Sequence, residues 1–125
     1  MINKRRSFII GIKSHELTSK EKKFLRKYKP WGVILFSRNI KSIKQCSILT
    51  NSIRKLFSDK FYPILIDEEG GKVSRLSKII NTSVFKAQFF GDLFLNNKSK
   101  FNTYSKVYIE QMSYLLKQMG ININT

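Results

Sequence analysis

Short, continuous apolar runs alternate with amphipathic helical patterns along this chain, and that alternation constrains its fold most. Ser7–Ile12, Gly32–Phe36 and Tyr62–Asp67 each hold a handful of apolar residues in a row. Such runs are the pattern of strands buried on both faces, as in a parallel sheet. Between the first two, Thr18-Ser19-Lys20-Glu21 fits a capping box and opens a helix to about Lys29 with Phe24, Leu25 and Tyr28 inward, stopped by Pro30. Between the second and third, Ser42-Ile43-Lys44-Gln45 opens another, with Ile43, Cys46, Leu49, Ile53 and Leu56 on one face. Pro63 stands near the start of the third strand, where proline is tolerated.

A longer, less regular stretch, Glu68 to about Lys100, follows the third strand and contains Gly70-Gly71 and Gly91. A third helix then steps through Phe101, Tyr104, Tyr108, Met112, Leu115 and Met119. Gly120 is placed as its C′ residue, and Ile121–Asn124 opens a fourth strand. The order β-α-β-α-β-loop-α-β predicts an α/β fold with a parallel sheet and right-handed crossovers. A doubly wound sheet and an arc of a (β/α)8 barrel both fit. A whole barrel needs about 250 residues, and the chain has 125, enough for one small domain.

The net charge is +16, from 24 Lys and Arg against 8 Asp and Glu. This balance favours anionic partners in general, yet the lysines are spread singly or in pairs from Lys4 to Lys117, and no nucleic-acid-binding motif is present. A nucleic-acid partner is therefore not expected. Cys46 is the single cysteine, so no internal disulfide forms, and its place in an apolar helical pattern predicts a core residue. One cysteine and one histidine, His15, cannot build a metal cluster, and no metal or cofactor is expected. Lys4-Arg5-Arg6 before Ser7–Ile12 mimics a signal peptide, but the apolar run is too short and no cleavage site follows. A soluble, cytoplasmic protein with no membrane partner is the expectation.

Ligands meet parallel sheets at the carboxyl ends of the strands. There the third strand ends in Asp67, followed by Glu68-Glu69-Gly70-Gly71-Lys72-Val73-Ser74-Arg75-Leu76. Adjacent carboxylates at a strand end each need a partner or a solvent outlet. A carboxylate accepts hydrogen bonds from sugar hydroxyls, and a guanidinium presents a planar set of donors, so Asp67 and Arg75 could clamp a polyhydroxylated ring. Gly70-Gly71 would let the chain turn sharply. A salt-bridged loop, with Arg75 pairing Glu68 or Glu69 and no ligand, stays open. Phosphate binding is disfavoured, because the glycines follow two glutamates and fit neither glycine-rich phosphate pattern.

Two segments, Trp31-Gly32-Val33-Ile34-Leu35-Phe36-Ser37-Arg38-Asn39-Ile40 and Pro63-Ile64-Leu65-Ile66-Asp67-Glu68-Glu69-Gly70-Gly71-Lys72-Val73-Ser74-Arg75-Leu76, resemble glycoside hydrolase family three. The nearest branch is the bacterial β-N-acetylhexosaminidases of cell-wall recycling. The tail Met119-Gly120-Ile121-Asn122-Ile123-Asn124 is similar to that family's approach to its next strand. The resemblance runs from Phe8 to Asn124. It implies about the first third of a (β/α)8 barrel, truncated on its C-terminal side, so that residues 1–125 form a partial N-terminal barrel domain. It implies that Asp67 and Arg75 contact the terminal sugar, with Arg38, Asn39, Glu69, Gly70 and Gly71 supporting the pocket. Lys72 stands where the family more often has arginine, which weakens a bidentate contact.

The family retains anomeric configuration, using an aspartate nucleophile and a His-Asp acid/base pair on a mobile loop. Those motifs lie later in the family's sequence, and neither His15 nor Asp92 matches them. His15 is expected in an exposed loop and Asp92 at a turn or helix cap. No catalytic residue is therefore expected in this chain. The implied substrate is an N-acetylglucosamine-containing glycan, and the implied partner is the missing C-terminal part of the barrel. A non-catalytic basic module for sugar or nucleic acid, and another glycosidase activity such as β-glucosidase, are the alternatives.

Overall fold

The computed structural model describes residues 5–125. Lys4, the first member of the basic run before strand one, lies outside them. The elements are β1 (Arg6–Gly11), α1 (Ser19–Tyr28), β2 (Pro30–Leu35), α2 (Ile43–Phe57), β3 (Ile64–Ile66), α3 (Ala87–Asn96), α4 (Lys98–Gln118) and β4 (Ile123–Asn124). The four strands form one parallel sheet in the order β1-β2-β3-β4. Strand order follows chain order, as in an arc of a (β/α)8 barrel; the sheet does not double back as a doubly wound one does.

Local chemistry explains most element boundaries. Thr18 and Glu21 form the complete capping box of α1. At α2 the box is displaced: Ser42 Oγ accepts from Gln45 N–H, but Gln45 Oε1 reaches back to Lys41 N–H instead of Ser42. Asn97 caps α4 by accepting from Lys100 N–H. Gly120 follows α4 with φ +75°, and a Cβ there would sit 2.2 Å from Thr50 Oγ1, so glycine is required on both counts. That contact lets Thr50 donate to Met119 O at 2.9 Å and Arg54 to Gly120 O at 2.7 Å, joining α2 to the turn before β4.

The core lies between the sheet and helices α1, α2 and α4. Val33, Leu35, Ile64 and Ile66 meet Leu25, Cys46, Leu49, Ile53, Met112 and Leu116 there. Register places Gly11, Ile34, Leu65 and Ile123 in one row across the other face. Several expectations are corrected. Strand β1 is an edge strand with Ile9 46% exposed, so it is not buried on both faces. Phe24 lies exposed against Tyr28, leaving Leu25 as the fully buried residue of α1. Ile43 is also exposed, and the buried face of α2 runs through Cys46, Leu49, Thr50 and Ile53. The stretch expected to be irregular contains the helix α3. Asp92 is inside it, neither at a turn nor at a cap.

Candidate functional site

The carboxyl ends of β1, β2 and β3 converge. Asp67 follows β3 directly, and the chain turns through Gly70 (φ +76°) and Gly71 (φ +60°). A short antiparallel bridge joins Gly70 to Val73, with Glu69 N–H donating to Val73 O at 3.0 Å. Both glycines are sterically required: a Cβ on Gly70 would lie 2.4 Å from Phe85 O, and one on Gly71 would lie 2.8 Å from Lys86 Cβ. The turn returns Arg75 to Asp67, and Nη2 donates to Oδ2 at 3.0 Å. Both side chains are a little over a quarter exposed (29% and 28%), so a solute can reach them.

Phe36 is the floor beneath this pair. The Arg75 guanidinium lies 5.4 Å from its ring centroid, and the Arg38 guanidinium 4.7 Å. Arg38 Nε also donates to Ile12 O at 3.0 Å. Asn39 is fully buried in the turn after β2. Its Nδ2 donates to Ile12 O and Ser14 O, while its Oδ1 accepts from Phe36 N–H. Asn39 thus ties the end of β1 to the end of β2. Gly11 leaves room for the floor, since a Cβ there would be 3.1 Å from Arg38 Nη2 and 3.2 Å from Phe36 Cε2.

The three consecutive carboxylates have three different surroundings. Asp67 takes the Arg75 side chain. Glu68 is buried and holds the backbone of the returning strand: Oε2 accepts from Arg75 N–H at 2.6 Å and Leu76 N–H at 3.1 Å, and Oε1 accepts from Thr82 Oγ1 at 3.2 Å. Asn124 brackets the Glu68 peptide, its Oδ1 accepting from Glu68 N–H and its Nδ2 donating to Glu68 O. Glu69 is exposed and lines a separate hollow with Phe85, Phe90 and Tyr108. The alternative in which the Arg75 side chain pairs with Glu68 or Glu69 is therefore not the arrangement found. The sequence assigns Phe36 no role and Glu68 only that of an alternative partner for the Arg75 side chain. The spacing of Phe36 to Arg38 is a signal for the first, whereas the burial of Glu68 depends on Thr82 and Asn124, far from it in sequence.

Of the expected residues, the structure brings together Asp67, Arg75, Arg38 and Asn39, with Gly70 and Gly71 shaping the turn. Glu69 stands apart from them. Lys72 is exposed in the turn. Among the described residues Asp67 Oδ1 accepts no hydrogen bond, and Arg75 Nε is buried without a partner. Asp67 Oδ1 thus retains acceptor capacity suited to a neighbouring hydroxyl, whereas Arg75 Nε is closed off from solvent. His15 is half-buried, which corrects its expected exposure. Gln45 Nε2 donates to its carbonyl at 2.8 Å. Partial enclosure, then the nearby Lys41 and Lys78 ammonium groups, lower its pKa. Cys46 is buried as expected, and burial raises its pKa to about 12. No group of three or more His, Cys, Asp or Glu among the described residues could hold a metal ion. No helix among them is long and apolar enough to cross a membrane.

No family model matches the chain. A β-hexosaminidase of Psychromonas ingrahamii is 37% identical over 70 residues, covering 56% of this chain and 20% of that protein. The native structure of NagZ from Neisseria gonorrhoeae superposes with a TM-score of 0.80 at 26% identity, over 96% of this chain and 35% of that one. A family three β-N-acetylglucosaminidase from a Paenibacillus species shares the fold, with a TM-score of 0.67 at 21% identity over 94% of this chain and 22% of that one. The chain spans about a fifth to a third of the length of these relatives. In sequence and in fold, the chain is similar to part of the β-N-acetylhexosaminidases of glycoside hydrolase family three.

Proposed function

We propose that this chain is the N-terminal portion of a β-N-acetylhexosaminidase-like glycoside hydrolase and carries part of its sugar subsite. The observation that carries the reading is the Asp67–Arg75 pair, held at 3.0 Å at the carboxyl end of β3 over Phe36. Its substrate class is a glycan ending in N-acetylglucosamine, as in cell-wall fragments handled in the cytoplasm. One structure of Neisseria gonorrhoeae NagZ holds N-trifluoroacetyl-D-glucosamine, which supports a sugar of that type.

Asp67 accepts from ring hydroxyls through its unpartnered oxygen, and Arg75 donates to an adjacent one. Asp67 also fixes the Arg75 guanidinium, so little side-chain entropy is lost on binding. Retaining hydrolysis needs a nucleophilic carboxylate about 5–5.5 Å from an acid/base group, on the far side of the anomeric carbon. Our reading assigns both to the remainder of the barrel, so the chain alone binds weakly and does not turn over.

The isolated chain should leave a chromogenic N-acetyl-β-D-glucosaminide intact. Exchanged for the matching segment of NagZ, it should support hydrolysis, and Asp67→Ala in that chimera should remove most of it. A folded, inactive chimera, or one indifferent to Asp67, would refute the reading.

A further inference from the structure

Apart from Arg38 and Arg75, the excess positive charge has no part in the sugar site. Cations stand at both ends of the sheet, Lys20, Lys22 and Lys44 among those at its carboxyl end, but one group collects where helices end and strands begin. Helix α1 ends in Arg26 and Lys27 and is capped by Lys29, helix α2 ends in Arg54 and Lys55, Arg6 opens strand β1, and Arg5 and Lys60 precede strands β1 and β3. All of these lie at the amino-terminal end of the sheet, opposite Asp67. The acids are distributed otherwise. Glu16, Glu21, Asp67, Glu68 and Glu69 lie at the carboxyl end, and Asp92 and Glu110 lie within α3 and α4. Among the described residues Asp59 is the one acid at the amino-terminal end, and Arg5 already pairs with it.

Cations in the last turn of a helix offset the macrodipole, which accounts for Arg26, Lys27, Arg54 and Lys55 singly. It does not account for two further features of the same end. A cleft of about 200 Å3 opens between the ends of α1 and α2, lined by Arg5, Arg26, Lys29 and Ser58 together with Leu56 and Phe57. Two large aromatic rings are also exposed among the cations. Trp31, next but one to Lys29, is 42% exposed, and Phe61 is 74% exposed with Lys60 Nζ 4.9 Å from its ring centroid.

We infer that this end of the sheet binds single-stranded nucleic acid. The cleft between Arg26 and Lys29 seats a backbone phosphate, and Trp31 and Phe61 stack on bases. Bases and phosphates alternate along a strand, and rings set beside cations suit that alternation. A lipid surface fits less well, because insertion needs a continuous apolar stripe, and here the two rings stand singly. This site is independent of the sugar-binding reading and lies at the other end of the strands.

The test is fluorescence anisotropy of a labelled oligouridine strand with the full chain, titrated at increasing salt. Binding should weaken steeply with salt through counterion release. Arg26→Glu, Lys29→Glu and Lys60→Glu combined should weaken it at least about tenfold and flatten the salt dependence, as loss of several phosphate contacts requires. Phe61→Ala should weaken it about tenfold and leave the salt dependence unchanged, as loss of one stacked base does. A matched triple, Lys20→Glu, Lys22→Glu and Lys44→Glu at the carboxyl end, should change it less than about twofold. Circular dichroism checks that each variant is folded. Equal losses from the two triples would show diffuse charge attraction and overturn the inference. So would capture by vesicles containing phosphatidylglycerol without oligonucleotide binding, or no binding at all.

Discussion

Replacing Glu68 with alanine removes the side chain that holds the backbone of the returning limb of the site loop. Its carboxylate accepts the Arg75 and Leu76 amides and the Thr82 hydroxyl. Leu76 is fully buried, so its amide has no water to turn to, whereas Arg75 is only partly enclosed. A buried donor left unsatisfied costs about 1–3 kcal/mol. Counting one such donor in full and the other in part, Glu68→Ala should destabilise the fold by about 3 kcal/mol.

Glu68→Gln should be much milder. Its amide oxygen can still take both backbone donors, and its NH2 can face Thr82, whose hydroxyl turns to Ser74 Oγ at 3.0 Å. The remaining loss is the charge assistance, roughly 1 kcal/mol. Urea denaturation followed by circular dichroism measures both. For a domain of this size, about 3 kcal/mol corresponds to a fall of roughly 10 °C in Tm. Alanine and glutamine variants that are equally stable would refute the idea that Glu68 organises the loop.

Gly70→Ala should destabilise by more than about 2 kcal/mol, because φ +76° and a clash with Phe85 O act together, as thermal unfolding would show. Gly91→Ala, in α3 with open space around it, should instead stabilise by about 0.5–1 kcal/mol in the same assay. Asn39→Ala orphans the carbonyl of Ser14 and the amide of Phe36, and should lower stability by about 2–4 kcal/mol. Stability should also fall as pH climbs from about 9 toward about 12. Cys46 and Tyr62 stay neutral in the fold up to about 12, while the unfolded chain ionises them near 9.0 and 10.0, so alkali favours unfolding. Denaturation midpoints measured across that range check this, and a flat profile would contradict it.

Much of the scaffold was legible because its signals are local. Capping at Thr18, the αL glycine at Gly120 and the apolar runs of β2 and β3 depend on residues a few positions apart. Helix α3 was missed because it lacks a side-chain N-cap bond and carries Gly91 in its interior, although Phe89, Phe90, Leu93 and Phe94 have helical spacing. Asp67 and Arg75 were found as a pair because both lie on one short turn. The burial of Glu68 was not legible, since it depends on Thr82 and on Asn124 from the far end of the chain. The exposed faces of β1 and α1 were misread for a related reason: apolar composition does not reveal which strand ends up at a sheet edge.

Sugar recognition by Asp67 and Arg75 is tested most directly by two-dimensional NMR titration of the chain with N-acetylglucosamine. Shifts should concentrate in the amides of Phe36, Asp67 and Arg75, saturate at millimolar ligand, and vanish in Asp67→Ala while the rest of the spectrum is preserved. Shifts centred elsewhere, or unchanged by that substitution, would contradict the account.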